Sequence, residues 1–166
     1  MKIRYATVED ALEVSALIKS VAHYFTLHPQ GLGAEAFMKT IEPNAICECI
    51  TASNFSYYVA FINNQLAGVV AVRDASHLYH LFVAQTFQGK GLSRALWSHA
   101  KYAAISVGRQ HRFTVNSTPY AVPIYERFGF GVTGPRVEVH GIAFVPMELH
   151  TPVTHDGQTI PGSARA

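Results

Sequence analysis

The stretch best suited to chemistry is Gln88–Ser93, reading QGKGLS. The hydrophobic pattern places it between a strand at 77–83 and a helix in which Leu92, Ala95, Leu96 and Ala103 share one face. Glycines in such a turn let backbone N–H groups approach an anion, and the helix N-terminus adds partial positive charge, so the turn can seat a diphosphate. Two familiar nucleotide loops fail on residues. A P-loop needs Gly at 84 and Ser or Thr at 91, where Ala84 and Gly91 stand. A dinucleotide fingerprint starting at Gly89 needs a small residue at 94, where Arg94 stands, and it follows a parallel strand rather than hairpins. A turn that merely joins strand to helix stays open on local grounds.

A second segment, Phe113–Phe130, reads FTVNSTPYAVPIYERFGF. With it the chain resembles the GCN5-related N-acetyltransferase (GNAT) superfamily, whose acetyl-CoA signature is Gln or Arg, two residues, Gly, one residue, then Gly or Ala. Gln88, Gly91 and Ser93 take those places after the hydrophobic strand Leu81, Phe82, Val83. The other half is a strand ending in Asn116, then Ala121, then Tyr125 followed by Phe128, Gly129 and Phe130. Element order agrees from about Ile3 to Leu149, with the specific matches inside 77–130. Two positions depart: Ser93 replaces Gly or Ala, and Gln85 replaces a frequent Pro. Ser is small enough to leave a backbone cradle intact.

The resemblance implies an acetyl-CoA-dependent N-acetyltransferase in which a primary amine, of a small molecule or a protein, attacks the thioester directly. It maps the pantetheine arm onto the backbone of Leu81, Phe82 and Val83, as an added strand would bind. The diphosphate falls on the amides of Gly89, Lys90, Gly91, Leu92, Ser93 and Arg94, with Gln88 opening the motif. Lys90 and Arg94 either add charge there or stand as solvated surface side chains. Asn116 and Thr118 either bond pantetheine or cap the short helix after Pro119, while Tyr120 and Ala121 line the adenosine side. Tyr125 takes the place of the general acid, against the plainer reading of a packed core tyrosine.

No Asp or Glu occurs between Ala75 and Pro123, so a base for the amine must come from elsewhere. Counting alternate residues puts His77 and Tyr79 on the face of Leu81 and Val83 and His80 on the other. His77 is the candidate base, or a polar residue at a strand start; His80, His111 and a water chain are the alternatives. The resemblance assigns the acceptor to the first helices and their loop, where Tyr24, Phe25 and His28, with Tyr79 from the strand, form an aromatic, weakly basic lining. An aromatic or otherwise flat amine suits that lining better than a polycation. The rival function of another class is a non-catalytic acyl-CoA-binding or regulatory module.

The elements that must hold these residues follow from pattern. Ile3–Ala6 is a strand, Thr7 and Asp10 form a capping box, and Ala11, Val14, Leu17, Ile18 and Val21 keep helical period. A loop at 28–33 precedes helical sequence at 34–50, divided by Pro43. Phe55–Ile62 and Leu66–Arg73 flank Asn63-Asn64 as a hairpin, and 77–83 is the next strand. Strands at 112–116, 130–132 and 141–149 and a short helix at 121–128 complete the pattern. The expected fold is an α/β GNAT fold, with a mixed, mostly antiparallel sheet of six to seven strands and about four helices.

With 166 residues, 49% hydrophobic and 14% charged, one domain over 1–150 is expected, followed by a tail at 151–166 that is mobile or held by a partner, as in a homodimer. A net charge of +2 gives no field for nucleic acid or an anionic membrane. No apolar run is of spanning length, and Glu9 and Asp10 interrupt any signal-peptide core. Cys47 and Cys49 are too close for a standard disulfide, and the histidines lack metal-site spacing, so no metal and a cytoplasmic location are expected.

Overall fold

The computed structural model describes residues 1–153. Its elements in chain order are β1 (Lys2–Tyr5), α1 (Ala11–Ser20), α2 (Glu35–Lys39), α3 (Pro43–Thr51), β2 (Phe55–Ile62), β3 (Gln65–Arg73) and β4 (His77–Val83). They are followed by α4 (Leu92–Gly108), β5 (Arg112–Ser117), α5 (Val122–Arg127), β6 (Gly131–Val132), β7 (Val137–Val139) and β8 (Ile142–His150). The eight strands form one sheet in the order β1-β2-β3-β4-β5-β8-β6, with β7 also on β8. All pairings are antiparallel except β4 with β5, which the α4 crossover joins in parallel.

The mixed α/β architecture agrees with expectation, and the differences are small. The strand β7 has only three residues, too few to show a period, so sequence reading passed over it. Helix α4 runs through Gly108 and ends at Arg109, which takes the left-handed conformation (φ 50°) as its C-cap. The turns were legible: Asn63 and Asn64 both have positive φ (49° and 62°), as a two-residue hairpin turn with right-handed twist requires. The predicted Thr7–Asp10 box is present on a 3₁₀ turn leading into α1. There the Thr7 amide donates to the Asp10 carboxylate at 2.7 Å, and Arg4 grips the same carboxylate at 2.7 and 2.8 Å. Of the predicted tail, Thr151–Val153 is described and 154–166 lies outside the described residues.

Core forms on both faces of the sheet. On one, α4 lays Leu92, Leu96, Trp97 and Ala100 over Val70, Val72, Leu78, Phe113 and Val115. Gly68 brings α4 close, since a Cβ there would stand 2.8 Å from Leu96 Cδ1. On the other face α1 and α3 pack Val14, Ile18 and Ile46 on Tyr57, Val59, Val69 and Ala71. Among the described residues no helix is long and apolar enough to cross a membrane.

One irregularity changes the reading of β4. Along β3, Ala71 pairs with His80 and Val72 with Leu78, so Tyr79 is an extra residue and β4 carries a bulge. Counting by twos fails across it. Leu81 and Val83 face α4, as Leu78 does, whereas His77 pairs with Arg73 on the α1/α3 side. The expectation that His77 and Tyr79 share the face of Leu81 and Val83 is therefore corrected: Tyr79, like Phe82, packs on the α1/α3 side.

Candidate active site

The parallel strands β4 and β5 pair at only two positions, His77 with Thr114 and Leu78 with Val115. Beyond them the strands part, and the gap opens into a cleft of about 540 Å³. Backbone N–H and C=O groups on the parted edges have no strand to complete, so they can take an extended ligand arm as an added strand.

One end of the cleft is the start of α4. Gly89 (φ 73°) and Gly91 (φ 78°) are both left-handed, and a Cβ on either would meet nothing within 4 Å. Conformation, not crowding, favours glycine at these two places, and no side chain stands within 4 Å of where a Cβ would be. Ser93 lines the cleft without closing it. Gln88 ties the turn to β4, its Nε2 donating to the Val83 carbonyl at 3.0 Å, while the Tyr24 hydroxyl donates to its Oε1 at 3.4 Å. Arg94 also lines the cleft, its guanidinium 5.5 Å from the centre of the Phe128 ring.

The opposite wall is the end of β5 and α5. Asn116, Thr118, Tyr120 and Ala121 line it, and Thr118 Oγ1 accepts from the Ala121 amide at 3.1 Å, so Thr118 is a cap whatever else it touches. Tyr125 sits in this wall, buried, its ring centre 6.0 Å from that of Phe128 and 5.6 Å from that of Phe130. Burial pushes its phenol above the ordinary range, so the hydroxyl keeps its proton at any physiological pH. The third side is the chain after α1. Tyr24 stacks on Tyr120 with centroids 4.7 Å apart, and Phe25 lies 5.8 Å from Phe82. Tyr79 reaches the same space from the bulge, its ring edge-on to Phe55 at 5.1 Å.

The cleft thus gathers Leu81, Phe82, Val83, Gln88, Gly89, Gly91, Leu92, Ser93, Arg94, Asn116, Thr118, Tyr120, Ala121, Tyr125, Tyr24, Phe25 and Tyr79. Three expected residues lie outside its lining. Lys90 is exposed, its ammonium donating to the Thr86 carbonyl at 3.1 Å. His28 is exposed, its Nδ1 accepting from the Gln30 amide at 3.1 Å. His77 bonds Thr114 Oγ1 through Nδ1 at 2.8 Å, and burial with help from Arg73 lowers its pKa.

The alternatives to His77 fare no better. His80 is fully buried behind the cleft-lining Tyr79 and Phe82, paired with the Tyr57 hydroxyl at 2.9 Å, and desolvation drives its pKa down to about 3. His111 bonds Thr151 beside the first residue of β5, away from the cleft. Sequence reading missed Val21, Leu78, Phe87, Val115, Ile124, Arg127 and Phe128 as lining residues. Phe128 stands in the quoted FGF run, but only the packing of α5 turns it and Arg127 toward the cleft. Among the described residues no group of three His, Cys, Asp or Glu is placed to hold a metal.

A family model described as "Acetyltransferase (GNAT) domain" matches residues 25–151, and the chain belongs to that family. It is 27% identical over 124 residues to a streptothricin acetyltransferase of Escherichia coli, covering 69% of this chain and 71% of that protein. In fold it is similar to the PaiA N-acetyltransferase of Thermoplasma acidophilum, solved with coenzyme A, at 15% identity and a TM-score of 0.74 over 90% of this chain and 98% of that one. An aminoglycoside 6'-N-acetyltransferase, also complexed with coenzyme A, superimposes with a TM-score of 0.70 at 11% identity, over 94% and 100% of the two chains. Acetyl-CoA is the cosubstrate of this family, and the open glycine turn, the parted strand edges and the two cleft arginines fit it.

Proposed function

We propose that the protein is an N-acetyltransferase that moves the acetyl group of acetyl-CoA to a primary amine by direct attack on the thioester. The observation that carries this is the parting of β4 from β5, with the glycine turn at one end of the gap and Tyr125 in its wall. In this reading the amides from Gly89 to Arg94 take the diphosphate and Arg94 adds charge. The edge of Leu81–Val83 takes the pantetheine arm, and a backbone N–H near Val83 donates to the carbonyl oxygen as negative charge develops on it. Nitrogen bonds to the carbonyl carbon, the carbon–sulfur bond breaks, the sulfur takes the proton of the Tyr125 hydroxyl, and the proton that the nitrogen sheds on becoming an amide returns to the phenolate.

Tyr24, Phe25 and Tyr79 form the acceptor side. The relatives named for streptothricin and for aminoglycosides support a small-molecule amine as acceptor rather than a protein. The rival reading, an acyl-CoA-binding module without turnover, predicts the same binding and no thiol release.

Calorimetric titration with acetyl-CoA, followed by thiol release over an amine panel, separates the two. A Kd near 1 μM, about −8 kcal/mol, is the expected affinity. Tyr125→Phe should keep that affinity and lose about 100-fold in kcat. Unchanged turnover would remove Tyr125 from the chemistry, and binding without turnover on any amine would establish the module.

A further inference from the structure

The chain that follows α1 is built into the sheet. β5 keeps its ladder with β8 from the pair of Arg112 with His150 to the pair of Ser117 with Val145. There it stops, because Pro119 has no N–H to extend the ladder and the backbone leaves in a 3₁₀ turn at Pro119–Ala121. The first residues of β8, 142–144, pair with β7 on one edge, which leaves open the other edge, the one that β5 has quitted. Residues 25–27 fill it. Thr26 bridges to Ile142 in antiparallel sense, the Leu27 amide donates to the Gly141 carbonyl at 2.8 Å, and the Ala143 amide donates to the Phe25 carbonyl at 3.3 Å. Residues 25–27 thus continue the line of β5, and Tyr24 and Phe25, which reach the cleft, stand at the start of that continuation.

The turn between β7 and β8 presses on the same segment. His140 and Gly141 make it, both with positive φ (50° and 72°). Gly141 lies so close to the loop at 28–34 that a Cβ on it would stand 2.4 Å from the Gly33 carbonyl carbon, 2.5 Å from its oxygen and 2.6 Å from the Ala34 nitrogen. All three are backbone atoms, so no change of rotamer relieves the contact. Ordinary contact begins near 3.4 Å, and reaching it means parting the two backbones by about 1 Å, a displacement that can cost about 100-fold where it moves a substrate. Ala34 is fully buried and its amide donates to the Gly31 carbonyl at 3.0 Å, so a push there is passed along the loop rather than absorbed at its tip. Gly33, Ala34 and Gly141 themselves lie outside the cleft lining.

Resting on the assignment of Tyr24 and Phe25 to the acceptor, we propose that Gly141 is a positioning residue: from outside the cleft, the β7–β8 turn fixes the acceptor wall in the sheet before an amine arrives. A wall shifted by the turn loses contacts that the amine makes equally before and during reaction, so the effect falls on KM and spares kcat. The glycine turn and the edge of β4 stand on other sides of the cleft, so acetyl-CoA affinity is spared as well.

The test compares Gly141→Ala with Gly31→Ala in the full-length protein. The second variant imposes nearly the same backbone strain (φ 76°) in the same loop, with nothing within 4 Å of the new Cβ. Both are titrated with acetyl-CoA by calorimetry and assayed by thiol release with benzylamine, spermidine and an aminoglycoside. For the fastest of these amines Gly141→Ala should raise KM about tenfold, with kcat and acetyl-CoA affinity within threefold of the parent, and Gly31→Ala should move none of the three beyond that range. In the unaltered protein with no amine present, hydrogen exchange read by NMR should show the Leu27 amide at least about 100-fold slower than an unstructured chain. An unmoved KM in Gly141→Ala, an equal rise in Gly31→Ala, or a Leu27 amide that exchanges at the unstructured rate would each overturn the proposal. Should Gly141→Ala not fold, the exchange at Leu27 decides alone. Acetyl-CoA binding without thiol release from any of the three amines would instead overturn the transferase reading, and exchange at Leu27 would still decide whether the wall is fixed.

Discussion

His80 allows a prediction whose size comes directly from its surroundings. It is fully buried, its Nδ1 is paired with the Tyr57 hydroxyl, and desolvation holds its pKa at about 3 against an ordinary 6.5. The folded chain therefore refuses a proton that the unfolded chain accepts between those two values. Stability is fully present above pH 6.5 and falls as pH drops toward about 3, with a slope approaching 1.4 kcal/mol per pH unit. From pH 7.5 to 4.5 the loss amounts to about 2–3 kcal/mol, a large share of the 5–15 kcal/mol that typical domains hold. Half-buried His77, also lowered, acts in the same direction, so the contribution of His80 is read as a difference between proteins.

The variant is His80→Asn, whose amide oxygen can stand near Nδ1 to receive the Tyr57 hydroxyl and which does not titrate. Urea unfolding at half-unit steps from pH 7.5 to 4.5 gives stability against pH for both proteins. The variant starts lower because it leaves a gap in the core, but its curve should be flatter by about 2 kcal/mol over the range. Parallel curves would refute the reasoning, and an imidazole titrating above pH 6 in an NMR experiment would do so independently. That second result would also return His80 to consideration as a base.

Two further substitutions test the site and its support. Gly91→Val forces a β-branched residue to φ 78° at the mouth of α4, where nothing blocks the side chain itself. Acetyl-CoA affinity should fall at least tenfold by calorimetry, with about 1–2 kcal/mol of stability lost; affinity within twofold of the parent would show that the turn is not the diphosphate seat. Gly68→Ala places a Cβ 2.8 Å from the fully buried Leu96 side chain and 3.0 Å from the Phe82 carbonyl. Overpacking of about 1–3 kcal/mol should outweigh the entropic gain of Ala, lowering Tm by several degrees in a thermal melt. An unchanged or higher Tm would mean that α4 can retreat from the sheet.

Much of the site was legible because its signals are local. Gly89 and Gly91 stand where the left-handed backbone favours glycine, and the segment from Asn116 to Phe130 carries a strand end, a helix cap and Tyr125 in fixed order. The hairpin at Asn63-Asn64 and the α4 crossover are equally short-range, so the sheet order around the cleft could be anticipated. The lining from Tyr24 and Phe25 was also visible as an aromatic cluster, although which rings they meet was not.

The tertiary structure decided the rest, most sharply at β4. Alternation along HLYHLFV puts His77 with Leu81, but pairing with β3 inserts Tyr79 as a bulge and turns His77 toward Arg73 and Thr114. A bulge is set by hydrogen bonds to another strand, so no count along one strand can locate it. The same is true of the wall that joins Tyr24 to Tyr120 across nearly a hundred residues, and of Arg127 and Phe128, which reach the cleft only through the packing of α5. The sequence by itself determined the glycine turn at the start of α4 and which phenol follows it on α5. The non-local register of the sheet determined which side chains share the cleft with them, because pairing between strands distant in sequence sets which face each residue takes.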